Sequence, residues 1–397
     1  MHTLPGLVLE YRQLCYSSLH TLPGIVLEYR QLCYSSLHTL PGIVLEYRHV
    51  CYSSVHTLPS IVLEYRQLQK LKSAYVDGIL SCVINNSIQT HWDQTSAATG
   101  RLTSYQPNIQ AIPKIPITIS DCKQNYICGS DQTGEKSVEI YARDAFIASK
   151  NFSFIAVDFQ QIELRILGHL ANDTVLLNIL NDPQTPDIFI VLTSQWLNKP
   201  FTEVSDTDRE RTKRIVYSVM YGVGKEKLSQ YLKCKPDDAK AIMDSFLLKF
   251  PAVNQFTKSC IEFCKEKEYT MSIFKRRRLF SEINGRNRVL RAQAERQCVN
   301  FCVQGSAADI CKAAMLQVQK CLEVNSHLDA RLLIQIHDEL LLEVADEHLN
   351  TVAGLVKSVM EDKEKLCGSV VDLKVSIPVS VNVGKTWGHM VPWASSI

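Results

Sequence analysis

The sequence that decides the fold is Leu332-Leu333-Ile334-Gln335-Ile336-His337-Asp338-Glu339-Leu340-Leu341-Leu342-Glu343-Val344. Apolar runs flank the adjacent acids Asp338 and Glu339, a pattern that predicts a tight β-hairpin with carboxylates at its turn. A second acid, Asp158, ends the apolar run 154–157, immediately before a helical pattern. Two carboxylates on neighbouring strands suit hard divalent cations, as two-metal phosphoryl transfer requires. The sequence therefore predicts a sheet that carries a metal site.

Composition indicates a globular protein with two clusters of basic residues. The chain has 397 residues, of which 46% are hydrophobic, enough for two or three domains' worth of core. A net charge of +2 does not by itself indicate nucleic-acid binding. Lysines and arginines nevertheless cluster in 209–227 and in 275–296. These clusters are either a basic face for a polyanion or solvated faces of charged helices.

The cysteine pattern favours reduced thiols. Of the 14 cysteines, three (Cys15, Cys33 and Cys51) are copies made by a repeat, and the sequence shows no secretory signal. The pairs 260/264 and 298/302 lie on predicted helices, unlike the turn-borne pairs of zinc knuckles. No apolar run approaches the ~20 residues of a membrane span, so no membrane partner is expected.

Residues 1–55 are tandem repeats of 18 residues, each with the spacing of a short amphipathic helix. A fourth copy starts at His56 and continues into a longer helical pattern. We interpret the earlier copies as a recent duplication or a gene-model artefact outside the core. The alternative is a repeat-based interaction protein.

Beyond the repeats, the patterns alternate between helices and a few strands. An irregular polar stretch, 115–142, is interpreted as a surface insertion. A mostly helical region, 205–290, is followed by a long helix to about residue 324, the acidic hairpin, a helix near 346–362 and a strand at 376–383. Helices that interrupt and flank an antiparallel sheet predict an α+β fold.

A stripe of four residues marks the helix predicted within 205–224. The segment Thr207-Asp208-Arg209-Glu210 has a capping-box pattern at its start, and Tyr221-Gly222 marks its end. The stripe, spaced every four residues, consists of Arg209, Lys213, Tyr217 and Tyr221. Cations followed by rings fit the phosphates and the base and sugar of a nucleotide. Alternatively, the tyrosines belong to the core and the cations are exposed by accident.

A second polar stripe precedes the hairpin. Arg296, Asn300 and Gln304 recur every four residues and lead into the small residues 305–308. They either hydrogen-bond a template-primer duplex, including its minor groove, or satisfy buried neighbours beside a tightly packed helix.

Several motifs together resemble a known family. They are 99–104 (Thr-Gly-Arg-Leu-Thr-Ser), 107–113 (Pro-Asn-Ile-Gln-Ala-Ile-Pro), 158–165 (Asp-Phe-Gln-Gln-Ile-Glu-Leu-Arg), the first stripe with Gly222, 304–309 (Gln-Gly-Ser-Ala-Ala-Asp) and 337–339 (His-Asp-Glu). In kind and order they are similar to the motifs of DNA polymerase family A, over about residues 56–397.

The resemblance implies a right-hand polymerase with an antiparallel palm sheet, helical fingers and a thumb that is largely missing. The implied domains are 56–114, thumb base and start of the palm; 115–142, insertion; 143–180, palm with the first metal-binding motif; 181–290, fingers; and 291–397, palm with the second metal-binding motif.

The same resemblance implies roles for single residues. Asp158 and Asp338 would bind two Mg²⁺ ions, and Glu339 either joins them or supports the turn. Lys213 would contact the triphosphate and protonate pyrophosphate, with Arg209 beside it. In the nucleotide pocket, Tyr217 and Glu163 would exclude a ribose 2′-hydroxyl, and Tyr221 would stack at the template-base position. The residues implied to hold primer and template are Arg101, Asn108, Arg296, Asn300, Gln304 and His337.

Two positions depart from the family pattern. Phe189 stands where members often carry a histidine after Asp-Ile, which predicts the loss of one triphosphate contact. Lys275 stands where a glycine commonly precedes the arginines of the basic loop.

The expected function is template-directed DNA synthesis from deoxyribonucleoside triphosphates, in nuclear DNA repair or translesion synthesis. Glu163 in the sugar pocket disfavours an RNA polymerase. The alternative is a truncated, thumbless isoform or an incorrect gene model that binds DNA weakly without productive synthesis.

Overall fold

The computed structural model describes residues 63, 65, 66, 68–120, 137–185, 187–368 and 370–394. The predicted repeats, and the middle of the predicted insertion, lie outside the described residues. The chain divides into two units, one formed by residues 1–89 and 112–145 and the other by residues 90–111 and 146–397.

The first strands are short and pair as hairpins. In chain order they are β1 (Val83–Ile84), β2 (Ser87–Ile88), β3 (His91–Asp93), β4 (Thr103–Tyr105), β5 (Ile117–Ser120) and β6 (Ser137–Ile140). The β1–β2 turn is Asn85-Asn86, both with positive φ, as a two-residue type I′ turn requires. In the smaller unit β5 pairs with β6, so both ends of the segment 115–142, which was predicted to be an irregular surface insertion, form paired strands. A continuous helical segment precedes β1. It consists of Leu71–Asp77, which has π geometry, and α1 (Gly78–Leu80).

A five-stranded antiparallel sheet organises the larger unit, in the order β10-β11-β7-β12-β13. Its strands are β7 (Phe152–Phe159), β10 (Ala330–Ile336), β11 (Glu339–Ala345), β12 (Val379–Gly384) and β13 (Val391–Pro392), while β8 (Tyr269–Met271) and β9 (Arg277–Leu279) form a separate hairpin. The predicted acidic hairpin is confirmed as β10–β11, with His337 and Asp338 as its two-residue loop. His337 takes a positive φ of 55°, which a two-residue hairpin loop requires.

The larger helices occupy the connections between these strands. They are α2 (Ile162–Ala171), α3 (Thr174–Asn181), α4 (Ile188–Leu197), α5 (Asp206–Met220), α6 (Lys225–Leu232), α7 (Pro236–Lys249), α8 (Pro251–Lys267), α9 (Arg288–Asn300), α10 (Ser306–Val324), α11 (Leu349–Glu361) and α12 (Lys363–Cys367). Helices around an antiparallel sheet confirm the predicted α+β class. None of the described helices combines the length and the apolar character needed to cross a membrane.

The core lies where β7 meets the helices that cover the sheet. Ile155 and Val157 of β7 are fully buried, as are Ile310 of α10 and Val352 of α11. These side chains belong to one continuous apolar cluster that also includes α2 and α5 residues. Burial of such side chains stabilises the fold by about 1.5–3 kcal/mol each. The central position of β7 fixes Asp158, near its end, against both neighbouring strands.

Two helix predictions need correction, one at the start of the helix and one in its interior. Helix α5 begins at Asp206, because the Ser205 side chain caps it by accepting from the Asp208 N–H at 3.1 Å, rather than at Thr207. The predicted long helix before the hairpin is confirmed but has three parts: α9, a π-helical turn at Phe301–Gly305, and α10.

Candidate active site

Asp158 and Asp338 lie at the junction of β7 with the β10–β11 loop. Residue register places Asp158 opposite Glu339, and the Phe159 N–H donates to the Asp338 carbonyl at 3.2 Å. Asp338 therefore sits beside Asp158 although 180 positions separate them in the sequence. Glu339 is buried, and its predicted metal contact remains a prediction.

Both aspartates line a cavity of about 590 Å³. The same wall contains Arg209 and Tyr217 from α5, Tyr221 directly after it, and residues from the start of α2 and α4. Of the other predicted site residues, Arg101, Glu163 and His337 also line it. The structure thus brings the acids together with Arg209, Tyr217 and Tyr221, whereas Lys213, the fourth residue of the stripe, is not among the residues that line the cavity.

The two tyrosines of the stripe stack and donate hydrogen bonds. Their ring centroids are 5.8 Å apart with 21° between the planes. The Tyr217 hydroxyl donates to Gln161 Oε1 at 3.0 Å, and the Tyr221 hydroxyl donates to Glu163 Oε2 at 2.7 Å. Burial raises the pKa of Tyr217 to about 12 and also raises the pKa of Tyr221, an effect that the Glu163 charge reinforces. Both phenols are therefore neutral donors near neutral pH.

Glu163 is held from two sides. Its side chain is buried and forms an ion pair with Arg101 in addition to the Tyr221 hydrogen bond. Burial raises the pKa of Asp338, and the negative charge of Glu163 adds to the rise while Arg101 opposes it. The site thus concentrates negative charge, which favours a cation or a protonated carboxyl at Asp338.

Arg209 is held in place by two carboxylates. Its Nε donates to Asp187 Oδ2 at 2.9 Å, and its Nη1 lies 2.7 Å from Glu210 Oε1. Burial alone would raise the pKa of Asp187, but the Arg209 bond and the N–H groups of Phe189 and Ile190 lower it overall. Asp187 therefore stays ionised, and both caps α4 and orients Arg209.

The remaining predicted DNA contacts lie outside the cavity wall. Arg296 packs against Gly222. Asn108 accepts from the Ser104 hydroxyl at 3.2 Å. Asn300 carries a buried amide oxygen that has no hydrogen-bond partner among the described residues. Their contacts with DNA remain predictions.

The sequence analysis gave no packing or hydrogen-bonding role to four residues. Gln161, Asp187 and Phe189 line the cavity, and Arg276 lies outside its wall. Asp187 had a readable signal, because an aspartate before an apolar helical run is a typical N-cap. Arg276 joins distant segments, donating to the Thr99 carbonyl at 2.7 Å, to the Gly305 carbonyl at 3.1 Å and to Asp309 Oδ1 at 2.9 Å. No local pattern predicts such long-range bonds.

Asp158 and Asp338 suit a metal ion that the protein and the substrate phosphates coordinate together. Among the described residues, no three His, Cys, Asp or Glu side chains form a ready-made metal cage. Mg²⁺ does not need one, since it is usually bound by one or two carboxylates together with water and substrate phosphates. Asp158 and Asp338 supply such a pair of carboxylates in the cavity that Arg209 also lines.

Comparisons with known proteins agree with this geometry. The model for DNA polymerase family A matches residues 42–389. DNA polymerase I of Mycobacterium tuberculosis is 35% identical over 314 residues, 79% of this chain and 31% of the relative. The thermostable DNA polymerase I of Thermus aquaticus is 33% identical over 324 residues, 81% of this chain and 35% of the relative.

A solved structure shares the fold. The POL domain of Pol1 from M. smegmatis, in complex with DNA primer-template and dNTP, superposes with a TM-score of 0.73 and 31% identity, covering 86% of this chain and 55% of that one. The chain belongs to DNA polymerase family A. It spans about a third of the length of the curated relatives it matches.

Proposed function

We propose that this chain is a DNA-directed DNA polymerase, which adds deoxyribonucleotides to a primer 3′ end in the order that a template specifies. The observation that carries the proposal is the cavity that Asp158 and Asp338 share with Arg209, Tyr217 and Tyr221. The solved relative supports it, because that POL domain was captured with DNA primer-template and dNTP.

Asp158 and Asp338 would hold two Mg²⁺ ions, which supply activation of the primer hydroxyl and neutralisation of phosphate charge. The chain's own residues then position the triphosphate. Arg209 and Lys213 bind its oxygens, and Lys213 donates a proton to the departing pyrophosphate. Catalysis rests mainly on orientation and on fixed charges, as in phosphoryl transfer generally.

Glu163 and the stacked tyrosines select the sugar. Both carboxylate oxygens of Glu163 already have partners, Arg101 on one and Tyr221 on the other. A ribose 2′-hydroxyl that reached this position would meet an occupied acceptor and a fixed side chain. The pocket therefore favours deoxyribonucleotides.

A primer-template duplex is the proposed macromolecular partner. The residues assigned to it are Arg101, Asn108, Arg296, Asn300, Gln304 and His337. The unpartnered amide oxygen of Asn300 supports this assignment, since a buried acceptor without a donor is costly and a nucleic-acid donor would satisfy it. Arg101 would have to share its guanidinium between Glu163 and the primer.

Within the family, we assign the chain to the group of vertebrate DNA polymerase nu, with polymerase theta as the nearest rival. The support comes from residues 221–228 (Tyr-Gly-Val-Gly-Lys-Glu-Lys-Leu) and 387–392 (Trp-Gly-His-Met-Val-Pro), which resemble that group most. A role in repair or translesion synthesis, in the nucleus, follows from this assignment.

Primer extension tests the proposed function. Purified chain, Mg²⁺, four deoxyribonucleoside triphosphates and a labelled primer on a longer template are expected to yield longer primers. Asp346→Asn is a matched control, because its carboxylate binds Ser153 and Lys385 rather than lining the cavity. Extension by both proteins supports the proposal, and failure of the wild-type chain with Mg²⁺ and with Mn²⁺ contradicts it.

A further inference from the structure

One buried ring contacts three successive members of the α5 stripe. Phe189, the second residue of α4, is 2% exposed. Its ring centroid is 5.9 Å from Arg209 Cζ, 5.9 Å from Lys213 Nζ and 6.1 Å from the Tyr217 ring. The ring therefore runs alongside the two cations and the first tyrosine of the stripe.

The backbone and its polar bonds hold this ring in register with α5. Asp187 accepts from the Phe189 N–H at 2.8 Å and from Arg209 Nε at 2.9 Å. One turn further along α4, the buried Thr193 hydroxyl donates to the Thr212 hydroxyl at 2.8 Å. Bonds on both sides of Phe189 thus fix its position relative to Arg209 and Lys213.

Lys213 depends on the ring more than Arg209 does. Arg209 has two carboxylate partners, Asp187 and Glu210. Within the part of the chain that the structure describes, Lys213 forms neither an ion pair nor a hydrogen bond, and its ammonium lies over the Phe189 ring. A cation at this distance from an aromatic face gains about 0.5–2 kcal/mol. The Phe189 ring is thus the contact through which the long Lys213 side chain is oriented.

We propose that Phe189 is a positioning residue that holds Lys213, and secondarily Arg209, where the triphosphate binds; this inference rests on the proposed function. Against the family pattern, Phe189 in place of a histidine predicts the loss of a triphosphate contact. The geometry gives the residue another role, in which the face of an aromatic ring orients the cations that make the contact. A purely structural role would require only that an apolar side chain fill the core at this point.

Phe189→Leu separates these two roles, because leucine is apolar and buried but has no aromatic face. Deoxyribonucleoside triphosphate binding is measured by titration without primer, alongside KM and kcat in single-nucleotide extension. We expect a triphosphate dissociation constant and a KM roughly 3- to 30-fold higher, with most of the loss in KM. Phe189→Tyr, which keeps the ring face, is expected to stay within about 2-fold of wild type in both quantities.

Phe246→Leu is the matched control. Phe246 is also a buried aromatic residue of the same core, packed against Trp196 and Phe250. Its truncation is expected to lower the melting temperature without changing the triphosphate dissociation constant. If Phe189→Leu behaves as Phe246→Leu does, the positioning role is wrong.

A double-mutant cycle tests whether Phe189 acts through Lys213. In a Lys213→Gln background, Phe189→Leu is expected to weaken triphosphate binding by no more than about 2-fold, because the oriented charge is already gone. A loss equal to that in the wild-type background overturns the proposal. The titration needs no synthesis, so absence of extension would contradict the proposed function while the binding data still decide the role of Phe189.

Discussion

Glu163 illustrates how single residues acquire a role from partners far away in the sequence. Its position after Asp158 in a recognisable motif was readable, and its place near the sugar stays a prediction. Its ion pair with Arg101 and its hydrogen bond from Tyr221 were not, because they join residues that are 62 and 58 positions apart. Side-chain partners of this kind follow from packing and leave no periodic signal.

Glu163→Ala is expected to relax sugar selection. Removal of the side chain opens the space for a 2′-hydroxyl, so the preference for deoxyribonucleotides over ribonucleotides should fall roughly 10- to 100-fold. The measurement is the ratio of kcat/KM for dCTP and CTP opposite a template guanine. An unchanged ratio would show that Glu163 does not exclude the ribose.

Glu343 is expected to make stability depend on pH. Its buried carboxylate accepts from the Ser149 N–H at 2.6 Å and from Arg331 Nε at 2.8 Å. Burial raises its pKa, but these bonds lower it overall. Because the pKa of Glu343 is lower in the folded state, its carboxylate stabilises the fold fully at any pH above the unfolded-state pKa, near 4.5. This stabilisation is lost as the pH falls through the folded-state pKa.

Glu343→Gln should therefore lower the free energy of unfolding by about 1–3 kcal/mol at neutral pH, with a smaller difference in acid. Urea denaturation of both proteins from about pH 7 down to about pH 3 provides the measurement. A difference that grows as the pH falls would contradict this sign.

At the scale of elements, the type and order of the long helices and of the central strands were predictable, whereas short strands such as β8 and β9 were not, and boundaries depended on tertiary contacts. Two capping patterns compete at the start of α5, Ser205 with Asp208 and Thr207 with Glu210, and local sequence favours neither. The folded protein uses Ser205. The last long strand, predicted from residue 376, begins at Val379, because Pro378 has no N–H to contribute to a ladder.

Gly222 is expected to be intolerant of a side chain. It has a φ of +59°, and an added Cβ would lie 2.9 Å from Arg296 Cγ. The left-handed conformation alone costs a non-glycine residue roughly 1–2 kcal/mol, so Gly222→Ala should lower the free energy of unfolding by at least that amount.

Gly354→Ala is the control for this change. Gly354 lies inside α11, and an added Cβ would meet Trp393 at an ordinary 3.8 Å. Alanine there should be neutral or should stabilise the protein by up to about 1 kcal/mol. Equal effects of both substitutions in denaturant unfolding would refute the strain at Gly222.

At the scale of the whole molecule, the net charge is close to zero although one region of the surface is basic. The net charge is only +2, yet Arg277, Arg286 and Arg288 are all exposed. Such a distribution was visible in the sequence, but which of these side chains face solvent was not, because the same region also holds the partly buried Arg276 and Arg278. The predicted palm, fingers and thumb boundaries remain predictions.

DNA binding is expected to weaken steeply with salt. Each phosphate contact that is lost reduces the slope of log affinity against log salt by about 0.9 for a duplex. Arg286→Ala combined with Arg288→Ala should therefore reduce the slope by about 1–2, measured by fluorescence anisotropy with a primer-template duplex. Exposed Lys320, on α10, provides the control substitution to alanine. An unchanged slope for the double variant would exclude these arginines from the DNA interface.

The most direct test of the central proposal is single-nucleotide incorporation by wild type, Asp158→Asn and Asp338→Asn. Asparagine keeps the shape of each side chain and removes the charge that a divalent cation requires. With Mg²⁺ and one complementary deoxyribonucleoside triphosphate, wild type is predicted to extend the primer by that nucleotide. Each folded variant should be slower by at least about 1,000-fold. Incorporation by either variant at the wild-type rate would contradict the assignment of Asp158 and Asp338 as the metal-binding pair.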